Sequence, residues 1–536
     1  MDYRSGSDKM KKFFKYKKRL QILIIGAVLL LQVILIIACG ANKVSYHMDE
    51  YSTYILANSA YEEIEPKVQE GVAYQGDAVF NDYLVAQDGH RFDYSIVWYN
   101  QSQDVHPPFY YVLIHTVCSF FPGIFSKWFG ISVNIFFFIL CGIFVYKILK
   151  KLYKDNVKAL IGLLIWGTLP GIINTAIFIR MYMMMSFFVL AAIYIHLQVY
   201  TKEKLKWNFY VPLFFVTVGG ALTHYYFVVF IFFTALFYGI RFCIQKRWRD
   251  VIFYIITYLA SAVTALLIFP SMIEQVFFGY RGEQAFTAMG EESGFLNKLI
   301  ESGQILINNI AGNVWIFCLI LIAATAIIAA AFRKKSFMTG LRKILNSPVF
   351  AMLVISVLYF FLIVRIAPYV VDRYIAPVFG LLFIAMYSIL WKLCEMLKIT
   401  QKQSYLAVLI CSAVISGVSW THGLSNLWLE SLESIDIAEE NSSRDVLIVY
   451  EGRAKYLCPN LPELVKYHSY TVVREGDLEE YITGKDLDGM VLYIFNSMDR
   501  DTIFEEIQTA DNDIKTIEKL YKSYGTYMSA YLLSSE

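Results

Sequence analysis

Eleven apolar runs, most of them close to twenty residues long, recur along this chain near positions 20–39, 130–149, 158–176, 181–200, 208–222, 224–240, 250–270, 312–332, 349–366, 375–394 and 404–421. A helix rises about 1.5 Å per residue, so about 20 apolar residues cross a hydrocarbon core roughly 30 Å thick. Backbone placed in lipid must also satisfy its own hydrogen bonds, which favours helices. The pattern predicts an all-α polytopic membrane protein with about eleven transmembrane helices. Composition agrees, because only 17% of the residues are charged against roughly 25% in soluble domains. The basic residues form short blocks between apolar runs, not one basic face, which excludes nucleic acid as a partner.

The connections alternate in charge. Basic residues fill the N-terminus (Lys9 to Arg19) and then every second connection: Lys147 to Lys158, Lys202 to Lys206, Arg241 to Arg249, Arg333 to Lys343 and Lys392 to Lys402. The positive-inside rule places all six on the cytoplasmic side of a plasma membrane. Residues 40–129, 177–180, 223, 271–311 and 367–374 and the tail from 422 then face outside. Phe109 to Phe121 is apolar but only 13 residues long, and counting it as a span would reverse the charge rule. It is expected as a helix embedded in the outer face. The first apolar stretch exceeds the 7–15 residues usual for a signal-peptide core, so it is expected to remain as a span. The sequence ending at Cys39 has some likeness to a lipoprotein cleavage box, which would leave the later topology unchanged.

Beyond the last apolar run the composition shifts. The runs Val446 to Tyr450 and Met490 to Phe495 alternate with helical, acidic stretches, so residues 423–536 are expected as a small extracytoplasmic α/β domain, after a transmembrane region over 1–422. Seven of the eight cysteines lie in apolar segments, and no paired metal-ligand spacing appears.

Chemistry concentrates on the outer side. Between Asp49 and Asp104 stand eleven acidic residues and two basic ones, Lys67 and Arg91. Most of these carboxylates suit a solvated loop. Asp49 and Glu50 differ, because they follow the first span closely and are flanked by His47, Met48, Tyr51 and Tyr54. A carboxylate there can act as a general base for a hydroxyl or as ligand to a divalent cation. His106-Pro107-Pro108 presents a histidine where a helix N-terminus favours anions. Arg180, Arg365 and Arg373 lie at outer span ends, where arginine is scarce and costly, and His224 marks a break between two apolar runs. Arginines at that level suit a phosphate at the lipid–water boundary.

These motifs, in this order, resemble the GT-C membrane glycosyltransferases: Asp49-Glu50 after the first span, His106-Pro107-Pro108-Phe109-Tyr110-Tyr111, Arg180-Met181-Tyr182, Thr223-His224-Tyr225 and Arg373-Tyr374. The branch most similar contains the protein O-mannosyltransferases, the lipid A aminoarabinose transferase and bacterial dolichyl-phosphate-mannose-type enzymes, and the likeness covers roughly residues 20–390. It implies a GT-C type fold and transfer of a sugar from a polyprenyl-phosphate donor to an extracytoplasmic cell-wall polymer, lipid or protein, with inversion. Carried over by position, Asp49 is the base with Glu50 supporting it. His106, Arg180, Arg365 and Arg373 bind the donor phosphate, and His224, Tyr182 and Tyr374 contact substrate. A divalent cation is left open, with Asp49 and Glu50 as its ligands. One departure is that relatives often carry a basic residue soon after the double proline, whereas Phe109 to Val112 are uncharged. The rival reading is a transporter or flippase for a lipid-linked sugar, which the absence of a visible repeat disfavours.

Overall fold

The computed structural model describes residues 3–61, 68–290, 294–333, 337–523 and 527–536. Lys67, Lys334, Lys335 and the basic side chains from Lys9 to Lys17 lie outside the described residues. All eleven apolar runs are helical, yet three depart from a single straight span. Eight helices among the described residues are long and apolar enough to cross a membrane. Two more runs belong to bent pairs: Asn156–Trp166 with Pro170–Ile177 at 58°, and Phe295–Ile310 with the helix beginning at Val314 at 84°. The remaining run, Trp207–Ala221, is 15 residues long, too short to cross unaided. The expected count of about eleven therefore becomes eight to ten.

Each break has a local cause. Pro170 lacks the N–H that a continuing helix would use and instead opens the second helix at its first turn. The carbonyl of Thr168, freed at that break, accepts from Trp420 Nε1 at 2.9 Å and Ser416 Oγ at 3.3 Å. Irregular backbone at this depth persists where neighbouring helices supply such donors. The other break falls at Gly312, whose φ of +87° is open to glycine and strained for other residues.

The basic connections gather at one end of the helix bundle. Asp155 caps the helix Asn156–Trp166 and accepts from Tyr405 at 2.6 Å, and Lys158 lies over the Trp391 ring at 4.2 Å. Gln21 bonds Asn156 at 3.2 Å, while Arg241 stacks on Tyr200 at 4.4 Å and donates to the Leu345 carbonyl. Segments far apart in sequence thus meet at the end that the charge pattern assigns to one membrane face.

At the opposite end sits a six-stranded sheet. Its strands are β1 (Ala73–Tyr74), β2 (Asp445–Tyr450), β3 (Ser469–Arg474), β4 (Val491–Phe495), β5 (Thr516–Lys522) and β6 (Met528–Ser534), in the order β1-β3-β2-β4-β6-β5. The central strand β2 runs parallel to both β3 and β4 and is buried from Val446 to Tyr450, as a strand covered on both faces should be. Five strands come from the tail. The edge strand β1 comes from the first outer loop and pairs antiparallel with β3, with Ala73 opposite Thr471. Tyr470 Oη donates to the Gly76 carbonyl, and Arg474 pairs with Glu70 at 2.8 Å, so loop and tail are joined by backbone, hydroxyl and charge.

Candidate active site

The site forms where the first outer loop meets the outer ends of the spans. The helix Met48–Asn58 starts with His47 as its N-cap, and the sequence His-Met-Asp-Glu supplies a capping box. His47 Nδ1 accepts from the Asp49 N–H at 3.0 Å, and the Glu50 carboxylate accepts from the His47 N–H at 2.9 Å. The box places Asp49 in the first helical turn, where the helix dipole favours a carboxylate.

Glu50 does not stand beside Asp49 in the site. Both Glu50 and Lys43 are fully buried, and their side chains pair at 3.0 Å. The other Glu50 oxygen accepts from the Ile179 N–H at 2.9 Å, and Lys43 also donates to the Asn426 carbonyl at 2.6 Å. Glu50 therefore ties the acidic helix to the strand-like turn before Arg180 and to the segment after the last span. The Glu50 carboxylate, expected next to that of Asp49, is turned into the interior instead, because adjacent residues on a helix point about 100° apart.

Arg180 lies beneath the site at 3% exposure. Its Nη1 donates to the Asp49 carbonyl at 3.2 Å, Thr53 Oγ1 at 3.2 Å and Tyr111 Oη at 3.0 Å. Its Nη2 lies 3.1 Å from His106 Nε2, and the other ring nitrogen of His106 is 2.9 Å from Asp104. Arginine can only donate, so Nε2 must accept and Nδ1 must carry the proton that Asp104 receives. The network thus fixes His106 as a neutral tautomer with both nitrogens engaged. Removing the Tyr111 acceptor should be felt: Tyr111→Phe is expected to cost about 1.5–3 kcal/mol, the worth of a hydrogen bond to a charged group, read from unfolding in detergent.

Arg373 occupies the rim, with its side chain 13% exposed, and pairs with Asp49 Oδ2 at 3.1 Å. Burial works against charge on Asp49, but the guanidinium groups of Arg180 and Arg373 outweigh it and hold the carboxyl well below the usual carboxylate range. The Nε atoms of both Arg180 and Arg373 are buried without an acceptor among the described residues. The two arginines that flank Asp49 thus each keep one guanidinium donor open.

The remaining candidates divide. His224 caps the helix Tyr225–Ile244 by accepting from the Tyr226 N–H, and its ring lies 5.7 Å from His106 and 5.4 Å from Tyr182. Tyr374 approaches Tyr182 at 6.3 Å, so His224, Tyr182 and Tyr374 form an aromatic wall next to the arginines. Arg365 is not in this group. Its Nη2 donates to the Met289 carbonyl at 2.9 Å and its guanidinium stacks on Phe295 at 5.0 Å, anchoring surface helices. The short apolar helix spans Phe109–Ser119, close to the expected 109–121, and its first N–H is taken by the Leu222 carbonyl. Sequence reasoning passed over Lys43 and the role of Asp104. The short spacing Asp104-Val105-His106 was the available signal for the second, whereas Lys43 carried none. Among the described residues no group of three metal-ligating side chains converges.

The sequence matches the family model of the dolichyl-phosphate-mannose-protein mannosyltransferases over residues 119–281. No curated protein matches the sequence. Among solved structures, ArnT from Cupriavidus metallidurans bound to undecaprenyl phosphate superposes with a TM-score of 0.51 at 10% identity, covering 94% of this chain and 97% of that one. The chain has the fold of the GT-C glycosyltransferase superfamily. The apo oligosaccharyltransferase of Archaeoglobus fulgidus is similar at a TM-score of 0.50 and 9% identity, with 97% of this chain and 75% of that one covered. The family match and the GT-C fold together support a lipid-phosphate-linked sugar glycosyltransferase in a multi-span membrane protein.

Proposed function

We propose that this GT-C protein transfers a sugar from a polyprenyl-phosphate donor to a hydroxyl of an extracytoplasmic acceptor, with inversion at the anomeric carbon and Asp49 as general base. The observation that carries the reading is the Asp49–Arg373 pair at 3.1 Å, backed by buried Arg180 and bordered by two unaccepted guanidinium N–H groups. The acceptor oxygen forms its bond to the anomeric carbon as the bond to the phosphate oxygen breaks. The bonding pair leaves with the phosphate, and the acceptor proton passes to Asp49. Phosphate is a good leaving group, so the protein's work is orientation, a base and charge stabilisation. Arg373 at the rim neutralises the departing oxygens. Arg180 and neutral His106 hold Asp49 and the aromatic wall in place from below. The C-terminal sheet and the site lie on the extracytoplasmic side, with the basic connections in the cytoplasm.

The direct test is release of polyprenyl phosphate by the purified protein from a panel of synthetic polyprenyl-phosphate sugars, with the anomer of the product determined. Retention of configuration would sink the single-displacement mechanism. A pH profile adds a second test. Because the arginines depress the Asp49 carboxyl, the base is ionised throughout the neutral range, and its acid limb in kcat/KM falls below the usual carboxylate range. Arg373→Gln removes one of the depressing charges, so the acid limb should move upward in pH. An unmoved limb would separate Asp49 from that limb.

A further inference from the structure

Arg373 and His47 form one wall of a cavity of about 410 Å³, within the roughly 300–1,000 Å³ common for small-ligand sites. Its other walls come from the helix Pro170–Ile177, the end of Phe295–Ile310 and the segment after the last span. The lining is rich in neutral amides and holds one carboxylate, Asp372. That carboxylate accepts from Asn174 Nδ2 at 2.8 Å and meets no cation within ion-pair distance among the described residues, because Arg373 turns to Asp49. Ser419 also lines the cavity, only 1% exposed, and its hydroxyl has no partner among the described residues. Trp428 closes the cavity with φ at +57°, a left-handed conformation that a bulky residue adopts only where its surroundings impose it. Its ring lies 5.7 Å from that of His47.

Planar amides and a carboxylate read pairs of hydroxyls, and an indole face suits the C–H face of a ring. A fixed carboxylate repels a second one. We propose that this cavity is a sugar subsite, with Trp428 as its platform and Asp372 as the group that admits a ring without a carboxylate and rejects a uronate. The proposal rests on the transferase reading above and adds the substrate class to it. The ring can come from the lipid-linked donor or from a carbohydrate acceptor.

The test is equilibrium binding to the full chain in nanodiscs, using undecaprenyl phosphate, its mannose, glucose and glucuronate derivatives, and free mannotriose. Mannose or glucose on the lipid should raise affinity over bare undecaprenyl phosphate. Trp428→Ala should remove roughly three- to tenfold of that gain, and Trp428→Phe should restore most of it. Bare lipid phosphate should bind all three proteins alike. The glucuronate derivative should bind about tenfold more weakly than the glucose one, and Asp372→Asn should narrow the gap. A Trp428-dependent gain for the lipid sugars alone identifies the donor ring, and one for mannotriose alone identifies an acceptor ring. If bare lipid phosphate binds while no ring adds affinity through Trp428, the subsite falls and the transferase reading stands. Equal binding of uronate and glucose derivatives overturns the selectivity. Failure of every lipid phosphate to bind removes the transferase reading together with the subsite.

Discussion

Asp49→Asn is expected to lower sugar transfer by about 10²- to 10⁴-fold, the usual contribution of a positioned general base, while leaving the protein folded. The amide keeps the shape of the carboxylate, and the capping contact of residue 49 runs through its N–H to His47, which the substitution does not touch. The change removes the charge that pairs with Arg373 and the atom that takes the acceptor proton. Binding of bare polyprenyl phosphate should be retained, since neither guanidinium is altered. The variant therefore separates chemistry from donor capture when turnover and binding are measured on one preparation. Near-normal turnover by a folded Asp49→Asn protein would remove Asp49 from the mechanism.

Lys43→Ala should be the most damaging change to stability, at about 3–5 kcal/mol. Lys43 and Glu50 are both fully buried and 3.0 Å apart, so losing the lysine strands a carboxylate in a dry site. The same carboxylate accepts from the N–H groups of His47 and Ile179, and its distress would spread to the helix carrying Asp49 and to the turn before Arg180. Adding Glu50→Gln to Lys43→Ala removes the uncompensated charge and should recover part of the loss, measured by thermal unfolding in detergent. A single variant that unfolds like the parent would show that the pair does not hold these elements together.

The spans were legible because lipid leaves the chain little freedom: a helix near 20 residues long is one of few ways to cross, and basic connections alternate with the faces. What composition could not show was where a span bends, since apolar residues on both sides of Gly167 to Pro170 read as one run. In the site, Asp49, Arg180, His106, His224 and Arg373 were found from unusual residues at unusual depth, and the fold brings them together. Arg365 satisfied the same criterion and went elsewhere, because depth along the membrane says nothing about direction around the bundle. Lys43 lies just beyond an apolar run and carried no signal of its own; it is buried against Asn426, 383 residues away. Strand β1 is two residues long, too short for any periodic signal.

That short strand also bears on how the molecule is assembled. The loop carrying Asp49 and Asp104 leaves the ribosome early, yet its edge partner β3 and the Arg474 that holds Glu70, 404 residues onward, are made only after every span. Contacts so distant in sequence close late, after the intervening spans have been inserted. A chain cut short after its final span would therefore be fully inserted and still lack the clasp on its first outer loop. The first outer loop would thus gain its clasp only once residues 469–474 have emerged, so its final placement waits on the sheet and not on the spans beside it.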